Sequence, residues 1–239
     1  MALREGGAIR GQHDIDPPKQ PPPSVWVMTD TGAPRPHTTN LYSFDPHGTT
    51  VAWTVDDGTN AESIRRFALF VAETGVRVTL FPCGSYPGWA EHAALWRPLV
   101  ATGQVQVGNH TWSHREFTDL TDDEIIEELT LNEEFFLEHY GVSTKPYFRP
   151  PNGSRDDRTD AAAARAGFTV QAMWSSLLVE GPTRTADELI ESAGVAFHPG
   201  GIVIGHLNFD AMQDALPALL DAITTAGLRS VTIRDVFAA

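Results

Sequence analysis

From Val51 onward, the chain alternates short apolar runs with longer amphipathic segments. The short runs predict seven strands: "TTVAWTV", "VRVTLF", "QVQVGN", "YFRP", "FTVQAMW", "GGIVIGH" and "RSVTI". The stretches between most of them predict helices at residues 60–74, 89–102, 121–139, 156–166, 185–196 and 210–226. Glycine follows several of these helices, as in "TGV", "TGQ", "AGF" and "AGL", which is typical of a helix end before a new strand.

Repeated alternation of strands and helices predicts an α/β fold with a parallel sheet. About seven such units favour a closed or nearly closed barrel, in which functional residues gather at the carboxyl ends of the strands. The front of the chain is different, because residues 1–47 are rich in Pro, Gly and Thr and predict an irregular N-terminal arm. Within it, "SVWVM" predicts a short strand. We therefore divide the chain into an arm, residues 1–47, and one α/β domain, residues 48–239.

Composition narrows the possible partners. The chain has 239 residues and a formal net charge of -14, which argues against a nucleic acid or an anionic membrane surface as the main partner. No stretch is apolar enough over about 18 residues to span a membrane. The single cysteine, Cys83, excludes an internal disulfide and a CxxC metal site. We expect a monomer that is secreted or in the cell envelope if a signal lies outside this sequence, and otherwise cytoplasmic.

Two adjacent carboxylates end the first predicted strand, in "VAWTVDDGTN". Asp56 and Asp57 repel each other and cannot both lie unpaired in a core. A helix N-cap or a solvated turn would explain the pair. A bound cation would explain it as well, with its other ligands supplied from elsewhere in the chain.

Two histidines follow the strand "QVQVG", in "GNHTWSHREF". On a helical turn, the spacing of His110 and His114 would place both side chains on one face. Two neutral imidazoles so placed can bind one zinc ion, although helices also carry such pairs by chance. A strand-end aspartate would complete a three-ligand site with an open position.

Two further clusters end predicted strands. In "PYFRPPNGSRDD", Arg149 precedes a proline-stiffened turn, which can be a plain structural turn or can hold a backbone N–H toward an oxyanion. In "GGIVIGHLNF", His206 ends an apolar strand. A histidine at that position is either capped by a carboxylate or acts as a proton donor.

Four short motifs occur in order: "TVDDG", "HTWSH", "FRPPNG" and "IVIGH". In these motifs the chain resembles the polysaccharide deacetylases, the NodB-like carbohydrate esterases of family four, from about residue 48 to residue 238. The resemblance implies a distorted (β/α) barrel that uses a divalent metal. It also implies removal of N- or O-acetyl groups from a glycan such as chitin, peptidoglycan or xylan.

The resemblance also implies roles for individual residues. The metal ligands would be Asp57, His110 and His114, with zinc the preferred ion and cobalt or nickel also suited to such ligands. Asp56 would be the catalytic base and His206 the catalytic acid. Arg149 would hold Asp56. The expected residues on the substrate side are Pro151, Asn152 through its backbone N–H, Trp174, Ile204 beside the acetyl methyl, and Trp112.

The chain departs from the family pattern in places. Val55 replaces a usual Phe, Arg115 a usual Pro, and Asn152 a frequent Tyr. The fourth motif is the weakest match: "QAMWSSLLVEG" keeps the Trp. Its expected aspartate, which helps to position the arginine, is replaced by Leu177 or shifted to Glu180.

Several features have a simpler interpretation. Trp89 and Trp96 favour core packing, whereas Trp112, between the two histidines, is the best candidate for stacking on a sugar ring. The acidic "DDEIIEELTLNEEF" predicts a solvated helix face. Two alternatives to a glycan deacetylase stay open: a metal amidohydrolase acting on a small non-carbohydrate amide, and a non-catalytic carbohydrate-binding relic of the fold.

Overall fold

A computed structural model describes residues 27–29 and 39–237. The rest of the predicted arm, residues 1–26 and 30–38, lies outside the described residues, as do the last two residues of the chain. The division of the chain at residue 47 therefore stays a prediction.

The described residues form ten strands and eight α-helices. The strands are β1 Val27–Thr29, β2 Thr39–Phe44, β3 Thr50–Asp57, β4 Val78–Pro82, β5 Val105–Val107, β6 Tyr147–Phe148, β7 Val170–Ala172, β8 Ser176–Leu177, β9 Ile202–His206 and β10 Arg229–Ser230. The helices are α1 Ala61–Thr74, α2 Pro87–Glu91, α3 Ala93–Ala101, α4 Asp122–Tyr140, α5 Asp157–Arg165, α6 Ala186–Ala196, α7 Asp210–Thr225 and α8 Ile233–Val236. Every strand and helix predicted from the sequence overlaps an observed one, and β2, β8 and α8 were not predicted.

The strands form two sheets with parallel pairing throughout, apart from the antiparallel pair of β1 and β2. One sheet has the order β5-β4-β3-β9-β8, with β10 also paired to β3, and the other has the order β1-β2-β7-β6. A parallel bridge between Asn109 and Phe148 links the two sheets where β5 and β6 end. This is the parallel α/β architecture expected from the sequence, and β2 adds a strand from the region predicted to be an arm.

β3 lies at the centre of the larger sheet, and all eight of its residues are buried. A central strand of a parallel sheet is covered on both faces, so its side chains are apolar along most of its length. Trp53, for example, packs against Phe67 and Phe197. The same strand continues through Asp56 and Asp57, which places two carboxylates in the interior at its carboxyl end.

Local signals set where the helices begin and end. Thr121 accepts a hydrogen bond from the backbone of Glu124, whose side chain in turn accepts from the backbone of Thr121, so α4 begins with a capping box. Gly141 then adopts a left-handed conformation and ends the same helix. Within the described part of the chain, no helix is both long and apolar enough to cross a membrane.

Candidate active site

The carboxyl ends of β3 and β9 meet at a cavity of about 500 Å³. The register of the two parallel strands sets Asp56 opposite His206. The residues around the cavity include the predicted ligands and catalytic groups Asp56, Asp57, His110, His114 and His206. Arg149 lies behind them, fully buried. The tertiary structure thus brings together side chains that are up to 150 positions apart in the sequence.

Asp57 faces both histidines. Its Oδ1 atom lies 3.1 Å from Nε2 of His110 and 3.2 Å from Nε2 of His114. The two imidazole ring centres are 5.0 Å apart. His110 is buried and His114 is partly exposed on the cavity side. The three residues form a group whose ligand atoms all lie within 4.8 Å of one another.

The histidine pair does not lie on a helical turn, and that part of the sequence prediction was wrong. Residues 110–116 form an irregular loop after β5. Thr111 and His114 have positive φ angles, 69° and 62°, which fold the loop back so that the two rings meet. In the described chain, positive φ at residues other than glycine occurs only at Asp57, Thr111, His114 and Asn152. Such uncommon backbone conformations cluster at functional sites.

The acidic helix α4 holds this loop from behind. Glu128 accepts hydrogen bonds from the backbone N–H and the hydroxyl of Ser113, at 2.8 Å and 2.6 Å. Asn132 accepts from the N–H of Gly84 and donates to the side chain of Asn109. Glu128 and Asn132 are buried. The prediction that the acidic segment forms a solvated helix face was therefore wrong for Glu128 and Asn132, since that side of α4 is a polar support for the histidine loop.

The donor atoms suit a divalent cation. Nδ1 of His110 lies 2.7 Å from the carbonyl oxygen of Arg149. A carbonyl only accepts, so Nδ1 carries a hydrogen and Nε2 is the nitrogen that faces Asp57 and can bind a cation. Oδ1 of Asp57 is buried and has no hydrogen-bond partner among the described residues. A carboxylate oxygen and two imidazole nitrogens that face one another form a ligand set that zinc, cobalt and nickel accept.

Asp56 turns the other way and pairs with Arg149. Nη1 of Arg149 donates to Oδ1 of Asp56 at 2.5 Å and to the Thr54 hydroxyl at 3.0 Å. Its other N–H groups donate to the carbonyls of Ala172 and Met173. The Arg149 side chain is 0% exposed and that of Asp56 is 1% exposed. Burial lowers the pKa of Arg149, while the carboxylate of Asp56 opposes that shift.

These contacts explain how two adjacent carboxylates can be buried at the end of β3. Successive side chains on a strand point to opposite faces, so Asp56 pairs mainly with Arg149 and Asp57 mainly with the two histidines, although Oδ2 of Asp56 also lies 3.7 Å from Nε2 of His110. Asp56 is neutralised by an arginine. Burial raises the pKa of Asp57, but the imidazoles of His110, His114 and His206 outweigh it and lower the pKa.

His206 is held by Glu180. Nδ1 of His206 donates to Oε2 of Glu180 at 2.8 Å, and the other carboxylate oxygen accepts the backbone N–H of His206. Burial lowers the pKa of the imidazole, but this hydrogen bond and the charges of Asp56 and Glu180 outweigh it and raise the pKa to about 9. Glu180 itself is buried, which raises its pKa against the opposing effect of His206. In the metal-free protein the arrangement favours the protonated imidazole.

The carboxylate of the fourth motif thus serves the histidine and not the arginine. The sequence prediction linked the residue at this place to the positioning of Arg149. In the structure Arg149 is held by Thr54 and two main-chain carbonyls as well as by Asp56, and Glu180 contacts His206 instead. Leu177, the other candidate, lies exposed at the rim of the cavity.

The predicted substrate-side residues divide into two groups. Asn152, Trp174 and Ile204 line the cavity. Pro151 and Trp112 are not among the residues that line it. Pro150 lines the cavity where Pro151 was expected. Trp112 packs edge-on against Phe135 of α4, with ring centres 5.8 Å apart.

The other two tryptophans named above belong to the core. Trp89 and Trp96 are both buried, with ring centres 6.0 Å apart. Nε1 of Trp89 also donates to the carbonyl of Asp57 at 2.8 Å, so this core residue supports the backbone at the end of β3.

Sequence reasoning did not single out some residues that the structure places here. The additional lining residues include Asn208, Phe209, Val179 and Arg184. Asn208 was visible in the sequence as a polar residue two positions after His206, at the end of an apolar strand. The fourth motif drew attention to Leu177 and Glu180, but no sequence pattern indicated that the wall of the cavity would extend to Arg184.

Comparison with known proteins finds similarity to one family of enzymes. The family model for polysaccharide deacetylases matches residues 45–171, more than half of the chain. The peptidoglycan-N-acetylglucosamine deacetylase of Bacillus cereus is 25% identical over 191 residues, which cover 78% of this chain and 68% of that protein. The region that matches this chain makes up very different shares of its curated relatives, from 22% of the length of one protein to 69% of another.

Solved structures show the same fold. A peptidoglycan N-acetylglucosamine deacetylase superposes with a TM-score of 0.73 and 23% identity, over 83% of this chain and 92% of that one. A pseudoenzyme of carbohydrate esterase family four from Bacillus anthracis superposes with a TM-score of 0.71 and 22% identity, over 82% of this chain and 68% of that one. The match of the family model to more than half of the chain identifies this protein as a member of the polysaccharide deacetylase family.

Proposed function

We propose that the protein is a metal-dependent hydrolase that removes acetyl groups from an acetylated polysaccharide. The substrate would be an N-acetylglucosamine polymer, such as a chitooligosaccharide or peptidoglycan, with acetylated xylan as a further candidate. The observation that carries the proposal is the meeting of three features at one cavity. These are the Asp57–His110–His114 group, the Asp56–Arg149 pair and the His206–Glu180 pair.

The residues divide the chemistry between them. A divalent cation held by Asp57, His110 and His114, with zinc the preferred ion, would polarise the acetyl carbonyl and lower the pKa of water. Arg149 occupies Oδ1 of Asp56, which leaves Oδ2 to take the proton of the water that attacks the carbonyl carbon. The backbone N–H of Asn152 would donate to the oxyanion that forms.

His206 completes the reaction. Its Nδ1 is held by Glu180, so Nε2 is the nitrogen that donates a proton to the leaving group. The bond between the acetyl carbon and the glycan nitrogen or oxygen then breaks. Acetate is released and the sugar keeps a free amine or hydroxyl.

A non-catalytic relic is the alternative that a specific observation favours. The similar structure from Bacillus anthracis is named a pseudoenzyme, and the fourth motif here departs from the family pattern. Against it stands the pairing of both proposed catalytic groups, since Arg149 holds Asp56 and Glu180 supplies a carboxylate partner for His206.

The test is acetate release from chitooligosaccharides, peptidoglycan and acetylated xylan, assayed side by side. The protein is first stripped with a chelator and then reloaded with zinc, cobalt or nickel. We expect release from at least one glycan, only after reloading. Metal uptake without acetate release from any of the three would overturn the proposal in favour of the relic.

A further inference from the structure

Asn208 bridges the end of β3 and the loop after β9. Its Nδ2 atom donates to Oδ2 of Asp57 at 2.7 Å. Its Oδ1 atom accepts from the backbone N–H groups of Gly58 and Thr59, at 3.3 Å and 3.0 Å, and from the Thr59 hydroxyl at 3.0 Å. One side chain therefore fixes both the carboxylate of Asp57 and the backbone that follows it.

The two oxygens of Asp57 are thereby made different. Oδ2 is engaged by the Asn208 amide, whereas Oδ1 is buried, faces both imidazoles and has no hydrogen-bond partner among the described residues. A carboxylate is free to rotate about its terminal torsion unless a contact holds it. Here the amide selects the one rotation that directs Oδ1 at the histidines.

The backbone at Asp57 needs such support. The residue has a φ angle of 64°, a conformation that side chains other than glycine seldom adopt. Gly58 follows at 99°, and a Cβ there would lie 2.5 Å from Nε1 of Trp89, so the chain is closely confined on that side. Asn208 holds the same turn from the other side.

We propose that Asn208 is a positioning residue that presets Asp57 as a one-oxygen metal ligand. This inference rests on the proposed function, because it assumes that the Asp57–His110–His114 group binds a divalent cation. Partners of metal ligands orient them, and their loss typically lowers metal affinity by about 10–100-fold. A role limited to tying two loops together would have no such effect on the metal.

Metal affinity separates these two roles. We would measure binding of Zn²⁺ and Co²⁺ by competition with a chromophoric chelator, for the wild type, Asn208→Ala and Asp210→Ala. Asp210 is the matched control, because it accepts a hydrogen bond from Asn60 and so joins the same two segments without contacting Asp57. Thermal unfolding of the metal-free proteins would report any loss of folding.

We expect Asn208→Ala to weaken metal binding by about 10–100-fold, with Asp210→Ala close to the wild type. Equal affinities of Asn208→Ala and the wild type would overturn the inference, and so would equal weakening by both variants. A wild type that binds neither metal would instead overturn the proposed function, so the two failures can be told apart.

A second measurement needs no variant. X-ray absorption of the zinc-loaded wild type, or its crystal structure, should show Asp57 bound through one oxygen, with the other still bonded to Asn208. Coordination through both oxygens in the wild type would overturn the inference even if Asn208→Ala did not fold.

Discussion

Glu180 and His206 form a hydrogen-bonded pair of 2.8 Å in which the carboxylate is 5% exposed and the imidazole 33% exposed. The buried member fixes the orientation and the charge of the more accessible one. His206 is thereby placed on the wall of the cavity with its second nitrogen available to a substrate.

The first prediction follows from this pair. Glu180→Gln keeps the size of the side chain and removes the charge that raises the pKa of His206. The alkaline limb of kcat/KM should therefore move to lower pH, because the catalytic acid would lose its proton earlier. Acetate release measured across pH would show the shift, with Glu191→Gln, an exposed residue of α6, as control. An alkaline limb at the same pH in both variants and the wild type would contradict the role of Glu180.

The same pair affects the pH dependence of folding. The pKa of His206 is about 9 in the folded, metal-free protein, against an ordinary 6.5. Between these values the folded state binds more protons than the unfolded state, so stability falls as pH rises. The contribution of protonated His206 to the stability of the fold is complete below pH 6.5 and is lost as the pH passes about 9. Denaturant unfolding of the metal-free wild type should show this decline, and Glu180→Gln should flatten it. Equal slopes for the two proteins would be inconsistent with the pair.

Loss of a ligand should empty the metal site. His114→Ala removes one of three donor atoms while leaving the buried residues His110 and Asp57 in place. Elemental analysis should then find far less metal per chain than in the wild type. The control is His47→Ala, which alters an exposed turn that does not line the cavity. Full occupancy in His114→Ala would remove this group as the metal site.

Asp56→Asn should separate catalysis from metal binding. The change removes the base, so the rate should fall by about 10²–10⁴-fold, while the metal ligands stay intact. Because Arg149 and Asp56 are both buried, the change should also cost stability, up to about 3–5 kcal/mol. Acetate release, bound metal and thermal unfolding are measured together.

The matched control for this change is Asp214→Asn, which breaks an exposed ion pair with Arg66 and should have little effect. If Asp56→Asn lost its metal along with its activity, the roles of Asp56 and Asp57 would have been assigned the wrong way round.

The buried face of α4 can be tested with neighbouring glutamates. Glu128→Ala removes the buried carboxylate that accepts from the partly buried N–H and the hydroxyl of Ser113, which should cost about 1–3 kcal/mol of unfolding free energy. Glu127→Ala changes an exposed residue one position away and should have little effect. Chemical denaturation compares the two. Equal stabilities would mean that the hydrogen bonds of Glu128 do not support the loop.

Much of this molecule was predictable because the signals are local. The spacing of apolar residues predicted seven of the eight strands from β3 onward and the main helices, and capping residues such as Thr121 marked where helices begin. Motifs at the ends of strands indicated the ligands and catalytic groups, since the carboxyl ends of parallel strands share one edge. The loop of His110 and His114 was mistaken for a helical turn, because a spacing of four does not reveal positive φ angles.

The partners of the site residues were decided by the tertiary structure alone. Helical spacing puts Glu128, unlike Glu127, on the side of Ile125 and Leu129, but only the packed histidine loop supplies the partners that a buried glutamate needs. Glu180 reaches His206 across 26 positions, and Asn208 reaches Asp57 across 151. The sequence by itself determined which side chains stand at the ends of strands, through periodicity. Which of them touch, and which oxygen of Asp57 stays without a donor, depended on contacts between distant segments that exist only once the sheet and its loops have packed.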